Sequence, residues 1–339
     1  MGTRWGFKDL GEPFRGSAAV DAGVLTPGKL RGEQFRRIFR DVYVPAALPL
    51  THEIRCQCAA LVLPTDAVIT GRSAATLRGV PLARTEDPVE AVVGLETRVF
   101  RRTGLDLRRC EVRDDEAEAW SGIRLATRQR MAFDLLLDRP LPDAVPDLDA
   151  ALRGALVGRE EMQRYLTGRH DRGIVQARCA LELADPRAES HPESQMRVYL
   201  VMDGLRPEVQ YRIYHRGRFV GRADLALPEH RLAVEYDGMW HGVPLQVGRD
   251  RDRLNRLHAA GWDVVFITAQ HLREPRRLIH TVRAALNATM ATSIHVAGNR
   301  GHGVGRKVVR WGARVPGAFG ARSSCWSCTP GRRYSTRER

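Results

Sequence analysis

The sequence predicts an α/β protein, of the α+β kind, with three folded regions and a basic tail. Three observations support this prediction. Two short helices precede a basic strand near the N-terminus, helices and strands alternate between residues 191 and 286, and apolar periodicity stops after residue 291. We place the regions at residues 1–50, 51–184, 185–290 and 291–339.

The first region has the pattern of a winged helix-turn-helix, a DNA-binding module. Gly23 separates two short helices, and the second begins at Thr26 and Pro27, an N-cap residue followed by proline at the first helical position. A basic, extended stretch then ends at Pro45. Helix, turn, helix and strand in this order predict DNA binding, with Lys29 as a candidate contact. The alternative is a small helical cap that packs on the neighbouring region.

The middle region carries no obvious chemical motif. Residues 71–79 and 126–137 have the spacing of helices, and residues 90–94 and 97–101 are typical of strands. The acidic residues between positions 111 and 118 are expected to form a solvated loop or the start of a helix. We therefore expect an α/β region without an assigned activity.

The pattern is clearest in the third region. Its apolar spacing predicts a helix, three strands, a helix, a fourth strand and a last helix, at residues 193–204, 209–213, 218–227, 231–236, 254–260, 262–268 and 271–286. A short turn at residues 228–230 joins the second and third strands, which predicts that they are antiparallel neighbours.

Acidic residues gather on these strands. Asp224 lies on the second strand, and Glu235 and Asp237 lie at the end of the third. Antiparallel pairing brings Asp224 beside Glu235, and residues two apart on a strand face the same side. Glu193, in the first turn of the preceding helix, can reach the same edge. Such carboxylates repel one another unless a cation neutralises them, and hard oxygen ligands suit Mg²⁺ or Mn²⁺.

Such a metal would stabilise the transition state of phosphodiester hydrolysis and activate a water. His241 follows Gly238 after the third strand and is a candidate for proton transfer. Arg249, Arg251 and Arg253 alternate with aspartates at the start of the next helix and are candidates for binding the scissile phosphate. Without such a function, the alternating arginines and aspartates would form a solvent-exposed network of salt bridges, and His241 would be an ordinary polar residue.

These residues resemble a known family. The run RADLALPEHRLAVEYDG (residues 222–238), followed by Trp240 and His241, by DRDR (residues 250–253) and by AGW (residues 260–262), is similar to the very-short-patch-repair-like endonucleases. They are a branch of the restriction-endonuclease-like PD-(D/E)XK superfamily. The resemblance covers residues 193–286 and implies a restriction-endonuclease-like αβββαβ domain with Mg²⁺-dependent cleavage of DNA.

The same resemblance implies roles for individual residues. Asp224 would be the central metal ligand, Glu235 its partner, Glu193 a supporting acid and His241 a proton-transfer residue. The superfamily's usual Glu-x-Lys is Glu-Tyr-Asp here, and residues 185–290 contain no lysine. Because aspartate cannot supply the positive charge that orients the attacking water, we expect His241 or Arg253 to supply it. The very-short-patch branch likewise uses histidine in place of that lysine.

The first region resembles the winged-helix region of AbiEi-type antitoxins. The similarity lies in AGVLT (residues 22–26), FRDVY (residues 39–43) and ITGRSAATLRGV (residues 69–80). It implies DNA binding in a repressor or antitoxin.

The net charge of +14 favours a polyanionic partner, although much of it lies in the tail. Residues 292–339 hold ten Lys and Arg but one acidic residue, and we expect them to be disordered. Cys325 and Cys328 have CxxC spacing, but a zinc site needs a second pair that the sequence does not place nearby.

No apolar run reaches the roughly 18–20 residues of a membrane helix, and the N-terminus lacks the apolar run of a signal peptide. We therefore expect a cytoplasmic protein with DNA and not a membrane as its partner. No small-molecule cofactor is expected, and the oligomeric state stays open.

The favoured function is a metal-dependent endonuclease with an N-terminal DNA-binding module. The alternative is a DNA-binding transcriptional regulator of antitoxin type whose nuclease-like domain is inactive. A third interpretation is a protein–protein adaptor.

Overall fold

A computed structural model describes residues 10–98, 102–238 and 244–298, without the side chains of residues 244–250 and 290–298. His241, the side chain of Arg249 and the tail with Cys325 and Cys328 lie outside this description. The described part is mixed α/β, with three sheets, and its residues up to Thr289 form one compact unit. No helix in the described part is long and apolar enough to cross a membrane.

The first region is a three-stranded antiparallel sheet with two short helices. Its elements are β1 (Phe14–Arg15), α1 (Gly16–Asp21), α2 (Pro27–Leu30), β2 (Phe35–Phe39) and β3 (Val42–Pro45), and the sheet order is β1-β3-β2. The Thr26 hydroxyl accepts a hydrogen bond from Lys29 N at 3.3 Å, which caps α2. The predicted order of two helices and an extended basic stretch is confirmed.

The middle region contains a five-stranded sheet of order β6-β5-β4-β8-β7. The region begins with two helices and five strands: α3 (His52–Ala60), β4 (Val68–Ile69), α4 (Gly71–Leu77), β5 (Val89–Val93), β6 (Leu105–Arg109), β7 (Ala117–Trp120) and β8 (Ile123–Ala126). Four helices follow and share its hydrophobic core: α5 (Arg128–Leu135), α6 (Leu141–Arg153), α7 (Arg159–Leu166) and α8 (Ile174–Leu183).

Two expectations for this region are corrected in part. Of the predicted strand at residues 97–101, residues 99–101 lie outside the described residues, Thr97 N donates to Gly94 O in a bend, and β5 pairs with β4 and β6. The acidic stretch forms a short 3-10 helix, Asp114–Glu116, and its other acidic residues are exposed as expected, but Glu116 is 2% exposed. Glu116 is buried because arginines distant in sequence surround its carboxylate.

The third region is a four-stranded sheet with helices on both faces. Its elements are α9 (His191–Met202), β9 (Glu208–His215), β10 (Arg218–Leu227), β11 (Leu232–Asp237), α10 (Pro244–Ala259), β12 (Asp263–Thr268), α11 (Ala269–Arg273) and α12 (Pro275–Gly298). The sheet order is β12-β11-β10-β9, with β11 and β12 parallel and the other pairs antiparallel. The predicted order of helix, three strands, helix, strand and helix is confirmed, with the last helix divided at Pro275.

Two hydrophobic clusters hold this sheet. On one face, buried side chains of α9 and α12 pack against β10 and β11, and on the other face Leu257 of α10 packs against the same strands. Helix α9 also joins the middle region, because Arg197 donates to the buried carboxylate of Asp149 on α6 at 2.9 Å. The third region is therefore anchored to its neighbour through a charged contact.

Candidate active site

Asp224 on β10 and Glu235 on β11 lie on adjacent antiparallel strands, as the sequence predicts. Leu225 pairs with Val234, which sets the register one residue away from both acids. Tyr236 N donates a hydrogen bond to Asp224 Oδ2 at 3.0 Å. Glu235 is buried and Asp224 is partly buried, so the two carboxylates share one protected site.

The surroundings of Asp224 disfavour its charged form. Burial, together with the nearby carboxylates of Glu193 and Glu235, raises the pKa of Asp224 from an ordinary 3.8 to about 6. The hydrogen bond from Tyr236 N and the charge of Arg253 act in the opposite direction. Because this anion is only partly compensated, an added cation would stabilise it.

The alternation of side chains along β10 breaks at Asp224. Ala223 belongs to the hydrophobic cluster on the α10 side of the sheet, and Leu225 belongs to the cluster on the α9 side. Residues two apart on a regular strand face the same side. On the neighbouring strand, Gln210 has a left-handed φ of 53° at the same level of the ladder. One irregularity of the β9–β10 pair therefore lies at the candidate metal ligand, in addition to the register shift between Phe219 and Gly221.

Glu193 is held firmly at the start of α9. Its carboxylate accepts hydrogen bonds from Glu189 N at 3.0 Å, Ser190 Oγ at 2.8 Å and Gln210 Nε2 at 2.8 Å. Glu193 is 8% exposed. Within the described residues, Gln210 Oε1 is buried without a hydrogen-bond partner. Glu193 thus positions Gln210 beside Asp224.

Arg253 on α10 binds the second carboxylate of the site. Its guanidinium donates to both oxygens of Glu235, through Nη1 at 2.7 Å and through Nη2, and Nη2 also donates to Arg222 O at 2.7 Å. Arg253 was a candidate phosphate ligand by sequence, and the structure pairs it with Glu235. Of the two groups expected in place of the lysine, Arg253 is therefore the one that the described structure brings to this carboxylate, and its role in orienting a water stays a prediction.

The other predicted residues have different locations. Asp237 lies at the exposed end of β11, and Arg251 is exposed on α10. Lys29 is exposed on α2 of the first region and belongs to a different sheet. The structure therefore places Asp224 beside Glu235, with Glu193 close enough to affect the charge of Asp224, and it does not place Lys29 with them.

The donor chemistry of the site fits Mg²⁺ or Mn²⁺. Mg²⁺ commonly binds one or two protein carboxylates and completes its octahedron with water and substrate phosphate. Asp224 Oδ1 has no hydrogen bond among the described residues, whereas Arg253 holds both oxygens of Glu235. Across the described residues, no three His, Cys, Asp or Glu side chains form a ready metal site. A shared ion would require Arg253 to release one oxygen of Glu235.

Sequence reasoning did not single out Gln210. In the sequence it is one polar residue that alternates with apolar neighbours on a strand, which is typical of any solvent-facing position. Its left-handed backbone and its hydrogen bond to Glu193 follow from the pairing of β9 with β10 and from the docking of α9. No local pattern indicates either feature.

The chain is similar to proteins of unassigned activity. It is 39% identical over 184 residues to the uncharacterized protein MT2308 of Mycobacterium tuberculosis (strain CDC 1551 / Oshkosh) and to the uncharacterized protein Rv2248 of strain ATCC 25618 / H37Rv. Each alignment covers 53% of this chain and 64% of the relative, which is less than two thirds of the relative's length. No family model matches the chain.

Among solved structures, the chain is similar to the crystal structure of the RV2827C protein from Mycobacterium tuberculosis. That similarity has a TM-score of 0.37 and 14% sequence identity, and it covers 60% of this chain and 80% of the other.

Proposed function

We propose that the third region is a metal-dependent endonuclease that hydrolyses DNA phosphodiester bonds at Asp224 and Glu235. The observation that supports this proposal is the environment of Asp224, a partly buried carboxylate with a pKa of about 6 beside two further carboxylates. Strongly perturbed carboxylates of this kind cluster at functional sites.

The residues of the site would have different roles. Asp224 and Glu235 would hold Mg²⁺ or Mn²⁺, and the bound ion would polarise the phosphate and lower the pKa of a water. Glu193 keeps Gln210 at the site through its hydrogen bond. Arg253 would move from Glu235 to the scissile phosphate, because a guanidinium binds carboxylate and phosphate with the same bidentate geometry.

Proton transfer is assigned to His241 on the basis of the sequence resemblance. Asp237 would belong to the same site because it lies two residues beyond Glu235 on β11. Arg249 and Arg251 would contact DNA near the start of α10. The order of helices and strands in the third region, αβββαβ, is the one that the resemblance to restriction-endonuclease-like domains implies, and it supports the proposal of DNA cleavage.

The first region would deliver this site to DNA as an antitoxin-like winged helix. Two short helices precede a hairpin in an antiparallel sheet, which is the order that a winged helix requires. Lys29 on α2 and the arginines Arg36, Arg37 and Arg40 near the hairpin are exposed. Their charges would bind the phosphate backbone independently of sequence.

The test is cleavage of supercoiled plasmid by the full chain with Mg²⁺ or Mn²⁺, with EDTA as the metal-free reference. We expect metal-dependent nicking that falls at least about a hundredfold in Asp224→Asn, because the central ligand loses its charge. Asp263→Asn is the matched control, since Asp263 is an exposed aspartate on β12 of the same sheet. Nicking by Asp224→Asn at the wild-type rate would exclude this site.

The second candidate is a DNA-binding regulator of antitoxin type without cleavage. The bidentate contact of Arg253 with Glu235 favours it, because a carboxylate neutralised by arginine has less need of a metal. A protein that shifts plasmid and short duplexes in a gel, and cuts neither with either metal, would have this function.

A further inference from the structure

The hairpin between β9 and β10 ends in exposed aromatic and arginine side chains. Tyr214 and Phe219 are paired across the two strands, and they are 55% and 54% exposed. Their ring centroids lie 5.7 Å apart in an edge-to-face arrangement. The guanidinium of Arg212 lies over the Phe219 ring, 5.5 Å from its centroid. We define the hairpin tip as these three residues together with Arg216, which lies in the turn, and Arg218, which follows it.

The hairpin tip carries positive charge that no acidic side chain pairs with in the described part of the chain. Residues 209–223 include four arginines and no acidic residue. One of them, Arg222, forms a bidentate salt bridge with Glu189. Arg212, Arg216 and Arg218 are exposed, and none of the three forms a salt bridge within the described residues. The hairpin tip thus attracts an anionic partner.

A second copy of the chain is a poor occupant for this surface. β9 is an edge strand of its sheet, and an exposed edge can pair with another chain. Pairing through this end of β9 would bring identical arginines close together, which is unfavourable. The partner must therefore combine negative charge with flat apolar surface.

Nucleic acid has both properties, and its unpaired form fits better than its duplex form. Base faces are covered by neighbouring pairs in a duplex, whereas an unpaired base can stack on an exposed aromatic ring. We propose that the hairpin tip binds single-stranded or locally unpaired DNA. A base stacks on Tyr214 or Phe219, and Arg216 and Arg218 bind the adjoining phosphates. This inference rests on DNA as the partner in the proposed function, but it requires no cleavage.

The experiment measures binding of fluorescein-labelled dT20 and of a 20-base-pair duplex to the full chain by fluorescence anisotropy in EDTA. The double variant Tyr214→Leu/Phe219→Leu keeps apolar bulk and removes the flat faces. We expect it to weaken dT20 binding about tenfold or more, and duplex binding less than about twofold. Arg216→Gln/Arg218→Gln should weaken both ligands and reduce the salt dependence of binding by about one to two ions.

Two matched variants test for nonspecific effects. Phe266→Leu removes an aromatic ring that is 43% exposed on β12 of the same sheet, and Arg172→Gln removes an exposed arginine of the middle region. Both should bind like the wild type. The tail is present in every variant, so its contribution to binding cancels.

The outcomes separate the two proposals. If Tyr214→Leu/Phe219→Leu binds dT20 as the wild type does, or loses affinity for dT20 and duplex equally, stacking at the hairpin tip is wrong. Because EDTA removes the metal from every sample, an inactive nuclease leaves this measurement unaffected. Conversely, loss of stacking leaves the Asp224→Asn cleavage test intact.

Discussion

Two carboxylates of this molecule, one buried and one partly buried, have pKa values that are shifted in opposite directions. In the middle region, Glu116 accepts hydrogen bonds from Tyr165, Arg169 and Arg130. Although burial acts to raise its pKa, these contacts hold it at about 2. In the third region, Asp224 has a pKa of about 6.

The difference lies in how many positive charges the fold brings to each carboxylate. Arg130 and Arg169 are themselves buried at Glu116, so the charges compensate one another inside the protein. At Asp224, burial opposes ionisation most, the neighbouring carboxylates of Glu193 and Glu235 add to it, and Arg253, which is bonded to Glu235, offsets these effects only in part. A fully compensated carboxylate stabilises the fold, whereas an undercompensated one is suited to bind a ligand.

The largest expected effect comes from breaking the compensated site. Arg130→Met should lower the free energy of unfolding by about 3–5 kcal/mol, because it leaves Glu116 and Asp134 buried with fewer partners. Asp224→Asn should not lower it at neutral pH, since it removes an unfavourable charge and retains a polar side chain. Urea unfolding of both variants measures the two values. Equal losses would remove the distinction between the sites.

The pH dependence of stability should have opposite signs at the two sites. The pKa of Glu116 is lowered from 4.5 to about 2, so its contribution is present above pH 4.5 and is lost as the pH falls towards 2. The pKa of Asp224 is raised from 3.8 to about 6, so its contribution is present below pH 3.8 and is lost as the pH rises through 6.

Urea unfolding between pH 3.5 and 7.5 measures the pH dependence of stability that is predicted for Asp224. The stability of Asp224→Asn relative to the wild type should rise as the pH increases across this range. The Asp263→Asn control should follow the wild type throughout. A relative stability of Asp224→Asn that stays level or falls would show that Asp224 is compensated after all.

A smaller effect is expected when Glu235 is released from its arginine. Arg253→Ala should bind Mn²⁺ about tenfold more tightly, because both oxygens of Glu235 become available beside Asp224. Isothermal titration calorimetry with the metal alone measures this affinity. Arg256→Ala removes an exposed arginine from the same helix and should bind Mn²⁺ like the wild type. Weaker binding by Arg253→Ala would mean that the arginine supports the metal site.

The smallest effect concerns a salt bridge that has good hydrogen-bond geometry but lies between exposed side chains. Arg222 and Glu189 form two hydrogen bonds of 2.8 Å, but their side chains are 48% and 52% exposed. Arg222→Ala should therefore lower the free energy of unfolding by less than about 1 kcal/mol. Thermal and urea unfolding measure the change. A loss as large as that of Arg130→Met would show that geometry and not burial decides the strength of these pairs.

The sequence predicted the carboxylate pair because that pair depends on local pattern. Period-two spacing defines β10 and β11, and the short connection between them makes them neighbours, so Asp224 and Glu235 meet. The order of elements in the third region followed from the same kind of pattern. The winged-helix and endonuclease assignments stay predictions.

Other features depend on contacts that no local pattern contains. Glu116 lies in a run of acidic residues that looks solvated, and its partners Arg130 and Arg169 are 14 and 53 residues away. Arg253 meets Glu235 because α10 folds back over the sheet, 18 residues further along the chain. Such pairings follow from tertiary packing, so the sequence alone could not give the charge state of either site.

One consequence of the β9–β10 hairpin concerns distance. Phe219 and Asp224 lie on the same strand, β10, five residues apart. At up to about 3.3 Å per residue, β10 separates the hairpin tip from the carboxylate by at most roughly 17 Å, and the register shift between Phe219 and Gly221 shortens this spacing. Successive nucleotides of a duplex strand advance by about 3.4 Å. If both proposals hold, cleavage falls within about five nucleotides of the unpaired base, whatever the sequence between them.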